Sequence, residues 1–159
     1  MSSNDYHFLT RWRIRGGVDE VAAVIEDALA LPRWWPDFFR SAEELAKGGA
    51  HGVGGTVEYT ARGFLPYALR WRLHGEEADA PGYYRLSSSG DLEGTGIWRL
   101  AQDGEEVDVS YEWTVRANKP LLRRLSFLIG PIFAANHEAV MKRGQIRLQA
   151  EVDARRRMP

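Results

Sequence analysis

Between residues 57 and 115, apolar and polar residues alternate in short runs separated by turn signals, and this spacing restricts the topology more than any other feature of the chain. Val57, Tyr59 and Ala61 alternate with Glu58, Thr60 and Arg62; Tyr67, Leu69, Trp71 and Leu73 alternate with Ala68, Arg70, Arg72 and His74. A period of two puts each apolar set on one face of a strand, so each strand is half buried. The pattern returns at Tyr84 and Leu86, at Trp98 and Leu100, and at Val107, Val109, Tyr111, Trp113 and Val115. Pro66, Pro81-Gly82 and Asp103-Gly104 mark the turns. Parallel strands need crossovers of about a dozen residues, so these short connections predict antiparallel hairpins.

Both flanks add elements. Residues 6–15 alternate as well, with Tyr6, Phe8, Thr10, Trp12 and Ile14 opposite His7, Arg11, Arg13 and Arg15. Gly16-Gly17 ends that strand, and Val18, Val21, Ala22, Ile25, Ala28 and Leu29 then recur at helical spacing. Asp19 and Glu20 fall in the first turn, where the helix dipole favours acids. Pro32 and Pro36 bracket Arg33-Trp34-Trp35, and Asp37-Phe38-Phe39 suit a further short helical turn. After Asn118, a capping residue, and Pro120, suited to a first helical position, the pattern is helical to about residue 152. Gly130-Pro131 is expected to kink or restart it. Phe133, Val140, Gly144 and Leu148 form one stripe, with Asn136, His137 and Met141 at its margins. The fold class is α+β: a curved antiparallel sheet of about seven strands wrapped around a long C-terminal helix, with two short helices after the first strand.

The 159 residues suit a single domain spanning 1–159. Hydrophobic residues at 44% and charged residues at 27% exclude a disordered polar chain. With 21 basic and 22 acidic residues the net charge is −1, so no strong field favours nucleic acid or an anionic membrane. The absence of cysteine removes disulfides, thiolate zinc sites and cysteine nucleophiles, and leaves the cytoplasm as the default compartment. No stretch of roughly 18 apolar residues occurs, so neither a leader peptide nor a membrane span is expected. A monomer or a homodimer fits equally well.

This order of elements resembles the helix-grip architecture of the START and Bet v 1-like (SRPBCC) superfamily. The strand at 6–15, Val18-Asp19-Glu20-Val21, the segment Leu31-Pro32-Arg33-Trp34-Trp35-Pro36 and the stretch from Asn136 to Gly144 are similar to its polyketide cyclase/dehydrase branch. The resemblance implies a ligand pocket between sheet and terminal helix and a flexible glycine-rich hairpin, residues 47–55, near its mouth. Members of such a superfamily carry unrelated chemistries, so the fold alone does not fix an activity.

The inward residues support a pocket independently, because Tyr59, Tyr67, Trp71, Tyr84, Trp98, Tyr111 and Trp113 are too bulky to interdigitate everywhere under one helix. The competing reading is a filled core. Candidate ligand contacts are Trp35, Phe38, Tyr59, Trp71, Tyr84, Trp98, Tyr111 and Trp113, joined from the helix by Phe133, Asn136, His137, Val140 and Met141. Of Trp34 and Trp35, one is expected in the core and the other at the entrance; a protein-binding patch is the alternative for this corner.

His137-Glu138 has Met141 four residues after the histidine, so a paired zinc ligand is missing and no metal is expected. No cofactor is expected either. His137 either contacts a ligand or transfers a proton, or it is a histidine satisfied at the pocket edge. The glycine-rich stretch lacks the Lys-Ser/Thr pair of a phosphate loop. Ser87-Ser88-Ser89 reads as solvated strand, and inward carboxylates are almost absent because Glu58, Asp108 and Glu112 share the wet parity. Three functions follow: binding a small hydrophobic or aromatic molecule; cyclisation or dehydration with Tyr59, Tyr111 and His137 as acid–base groups; or an interaction module.

Overall fold

Each strand carries one apolar row that must be covered, and hydrogen bonding those strands edge to edge merges the rows into one buried face. The computed structural model describes residues 5–62, 68–118 and 126–158, with side chains in the last segment from residue 134 onward. Tyr67, the Pro66 turn, the Pro120 helix start and the Phe133 side chain lie outside the described residues. The elements are β1 (Asp5–Arg15), α1 (Val18–Glu26), a 3-10 turn (Ala28–Ala30), α2 (Leu31–Trp34), β2 (Phe39–Ala46) and a second 3-10 turn (Ala50–Gly52). They continue as β3 (Thr56–Ala61), β4 (Leu69–Asp79), β5 (Tyr83–Gly90), β6 (Leu92–Asp103), β7 (Glu106–Ala117) and α3 (Ser126–Arg157).

One sheet runs in the order β1-β7-β6-β5-β4-β3-β2, antiparallel throughout. Its register aligns the inward rings across strands: Tyr84 lies opposite Trp98, Trp98 opposite Tyr111, and Tyr59 opposite Trp71. Gly96 makes this alignment fit. A Cβ there would lie 2.5 Å from the Tyr111 hydroxyl oxygen and 3.1 Å from the Trp113 ring. The opposite face carries paired charges such as Arg13 with Glu106 and Arg72 with Glu58, exposed contacts that contribute little stability.

Three local expectations need correction. Helical spacing over 18–29 predicts a longer first helix, but α1 ends at Glu26 and Leu29 is exposed. Asp27 takes φ −84°, ψ 72°, outside the helical region, and the Ala28 carbonyl accepts the Tyr59 hydroxyl at 2.7 Å. A 3-10 turn over Ala28–Ala30 follows in place of another α-helical turn. The second short helix covers Leu31–Trp34; residues 36–38 then form one turn, closed by the Phe39 N–H on the Trp35 carbonyl at 3.2 Å, but Phe39 already belongs to edge strand β2. Asn118 donates its side-chain amide to the Gly90 carbonyl and to Glu93, tying the end of β7 to the β5–β6 hairpin.

Helix α3 runs unbroken through Gly130-Pro131, so it does not restart there. Val140, Leu148 and Val152 are buried along it. Gly144 completes the stripe, since a Cβ there would stand 2.5 Å from Trp35 and 2.8 Å from Trp12. Ion pairs fasten α1, α2 and the turn after them to this helix: Glu20 with Arg156 at 2.6 Å, Arg33 with Glu151 at 2.6 Å, and Asp37 with Arg147 at 2.7 Å. Along the free edge of β1, the Gln149 side chain accepts the Arg15 N–H at 2.8 Å and donates to the Arg15 carbonyl at 3.1 Å.

Candidate functional site

Where α3 crosses the hollow of the sheet, the two surfaces do not meet, and a cavity of about 440 Å³ remains. The C-terminal end of α1, the Trp34–Phe39 corner and the glycine-rich hairpin close its other sides. The inward rows supply Tyr59 and Trp71 from β3 and β4, Tyr84 from β5, Trp98 from β6, and Tyr111 and Trp113 from β7. Helix α3 supplies Asn136, His137, Val140 and Met141, and the corner supplies Trp35 and Phe38. The fold therefore brings the expected contact residues around one cavity, Phe133 standing outside the described side chains.

Many of these rings lie against one another. Trp98 and Tyr111 have centroids 4.2 Å apart, and Tyr111 stacks on Trp113 at 5.7 Å. Trp34 and Trp35 are both buried and stacked at 5.8 Å, against the expectation that one marks the entrance. The helix ends at Trp34, and Trp35 leaves helical geometry with φ −127°, ψ 58°, which lets consecutive rings turn inward together. A protein-binding patch at this corner loses its support.

Polar groups on the wall differ in how far they are already engaged. Tyr59 spends its hydroxyl on Ala28, and burial first, then the Asp27 charge, raises its pKa. Burial also raises the pKa of Tyr111. His137 stacks on Phe8 with centroids 3.8 Å apart, and burial pushes its pKa down to about 4. Its imidazole is neutral at pH 7, and Nε2 is buried without a hydrogen-bond partner among the described residues. The indole N–H groups of Trp34, Trp35 and Trp71 share that condition. Buried donors ordinarily find acceptors, so an unengaged set around one cavity is unusual.

Sequence reasoning missed an inward carboxylate. Glu26 stands on the cavity wall, and its Oε2 accepts the Tyr84 hydroxyl and lies 3.0 Å from His51 Nδ1. The signal was present, because Glu26 follows the buried Ala22 by four residues and so shares its helical face. His51 reaches it from the glycine-rich hairpin, where its φ is +56°. That hairpin closes onto β4 through Gly54 N–H to the Gly75 carbonyl at 2.8 Å and Gly75 N–H to the Gly55 carbonyl at 3.0 Å.

The other candidates stay apart. His7 pairs with Glu112 on the outer face, and His74 meets the Thr56 hydroxyl at 2.7 Å. Ser88 is buried, not solvated, and donates to the Leu92 carbonyl at 2.6 Å. Among the described residues no cluster of three or more His, Asp or Glu side chains is placed to hold a metal, and no helix is long and apolar enough to cross a membrane.

A curved sheet gripping one long helix over an aromatic cavity defines the helix-grip class shared by START and Bet v 1-like proteins. More particularly, the chain belongs to the family described as polyketide cyclase/dehydrase and lipid transport, whose profile matches residues 9–153. Among solved structures, it is similar to TTHA0849 from Thermus thermophilus, with 22% identity, TM-score 0.72, and 91% and 98% of the two chains covered. It is also similar to the ZhuI aromatase/cyclase from Streptomyces sp. R1128, with 15% identity, TM-score 0.73 and 96% of each chain covered. A START superfamily protein from Mycobacterium smegmatis aligns with 12% identity and TM-score 0.73 over 93% of this chain and 97% of its own. At these identities the likeness is one of fold. No curated protein matches the sequence.

Proposed function

We propose that the chain works as one ligand-binding domain that holds a small, largely apolar aromatic, lipid or isoprenoid molecule in the cavity under α3. The observation that carries this reading is the cavity itself, about 440 Å³ and walled by aromatic rings. That volume is within the range of small-molecule sites, and a few polar groups among apolar walls are the usual means of orienting a ligand. Trp35, Trp71 and His137, with unengaged buried nitrogens, are the proposed orienting groups. Native mass spectrometry of freshly purified protein is expected to show a co-purified small molecule. Apolar fluorescent probes should bind at about micromolar Kd, quench the tryptophans and be displaced by one another. A folded protein that binds no such probe would leave only the filled-core reading.

A second reading, a cyclase or dehydratase, is favoured by one observation: His137 is an imidazole on the cavity wall whose Nε2 has no partner among the described residues. Its pKa near 4, and the raised phenol pKa values of Tyr59 and Tyr111, leave the three groups of this reading poorly matched to proton exchange at pH 7. This is why binding is preferred. In a binder, His137→Ala weakens affinity by about the 0.5–1.5 kcal/mol of one neutral hydrogen bond. In a cyclase it cuts turnover by roughly 10²–10⁴-fold at nearly unchanged affinity.

A further inference from the structure

We infer that the cavity selects ligands ending in a hydrogen-bond donor, a hydroxyl or an ammonium group, which Glu26 accepts, and that it refuses carboxylate-ended amphiphiles. The inference deepens the binding reading above and rests on it. Glu26 is the last residue of α1, and two partners from different parts of the fold fix its carboxylate: Tyr84 on β5 and His51 on the glycine-rich hairpin. Both bind Oε2. The other oxygen, Oε1, has no partner among the described residues, so a held acceptor with spare capacity stands on the wall.

The remaining charges on the wall point the same way. Asp27 and Glu44 also border the cavity, and the carbonyl end of α1 adds partial negative charge. Asp27 is already paired with Arg155. Lys47 is the single lysine or arginine on the wall among the described residues, and it is exposed. Deeper in, the polar groups are neutral: indole N–H groups, phenols and the His137 ring. A ligand carboxylate carried inside would leave water without meeting a buried cation, an unfavourable transfer. A ligand hydroxyl or ammonium at Oε1 instead forms a charge-assisted hydrogen bond, stronger than one between neutral groups. The unengaged indole donors add that the body of the ligand carries acceptor oxygens.

Three probes sharing one apolar body test this: 2-(1-naphthyl)ethanol, 2-(1-naphthyl)ethylamine and 1-naphthylacetate, titrated calorimetrically into the full chain at pH 7.5. The alcohol and the amine are expected to bind at least about tenfold more tightly than the acetate. Glu26→Gln should weaken the amine about tenfold, weaken the alcohol less and tighten the acetate, with a thermal melt confirming the fold. An acetate that binds wild-type protein as tightly as the alcohol overturns the inference, as does a folded Glu26→Gln protein whose three affinities are unchanged. Should that variant not fold, the wild-type series still decides. If wild-type protein binds none of the three, the binding reading itself fails.

Discussion

The two halves of the buried space use inward-facing residues to opposite ends. Around Trp12, Ile14, Val107, Val109, Leu148 and Val152 the interior is filled, and Trp12 meets Trp35 edge-on at 5.9 Å. Around Tyr59, Trp71, Trp98 and Tyr111, which are also inward-facing and aromatic, a cavity remains. The side chains differ, mainly aliphatic in the first and aromatic in the second, and so does the partner. In the filled half, Gly144 opens α3 so that two indoles reach the helix, and small aliphatic side chains interdigitate. In the hollow half, the rings lean on one another along the sheet, as Trp98 does on Tyr111. Contact spent sideways is unavailable for filling the space beneath the helix. Inward aromatic residues thus mark a buried face, and the element opposite decides whether it is packed or hollow.

This contrast can be broken most forcefully by paired truncations. Trp12→Ala should cost about 3–5 kcal/mol, the full loss for a packed indole, whereas Trp71→Ala should cost no more than about half of that because the cavity already borders its ring. Urea unfolding measures both. Equal losses would mean that the two halves are packed alike. Next in size, Gly144→Ala should cost about 2–3 kcal/mol, high in the range for an overpacked core because its new methyl meets two indoles at once. A calorimetric melt unchanged by that substitution would show that Trp12 and Trp35 yield freely, which the filled half does not permit.

The smallest effect belongs to the hollow half and depends on pH. The folded-state pKa of His137, near 4, lies below its ordinary value of 6.5, so the unfolded chain takes up the proton first as the solution is acidified. Stability should therefore fall as pH drops from about 6.5 to about 4 and stop responding to this group below that. Allowing for partial exposure of the ring, the contribution is on the order of 2 kcal/mol. Thermal melts across this window should show a shallower slope for His137→Gln than for wild type. Identical slopes would place the imidazole in contact with water.

Alternation is enough to read the inward rows, since Tyr59, Trp71, Tyr84, Trp98, Tyr111 and Trp113 all belong to the core face that their parity predicts. Strand β2 leaves no such mark. As an edge strand with mostly exposed side chains, Phe39–Ala46 is under little pressure to alternate. The end of α1 is hidden from sequence because Leu29 extends the apolar pattern, while the Tyr59–Ala28 bond just beyond that end joins residues 31 positions apart. Trp34 and Trp35 mislead for a similar reason: one regular element cannot bury two neighbours, and the element ends between them. Glu26 is legible as a position on the buried face of a helix, but its partners Tyr84 and His51 come together only in the folded chain.

The glutamine at position 149 has a consequence for how the open edge of β1 meets other strands. A sheet edge offers its free N–H and C=O groups to any passing strand, and long bare edges are where aggregation begins. At Arg15 both groups are already engaged by the Gln149 side chain, which imitates the pairing a neighbouring strand would make. The terminal helix therefore also works as a guard on β1. Shortening the chain from its C-terminal end to before residue 149 would uncover this stretch of backbone, and self-association would join any loss of stability as a cost of the deletion.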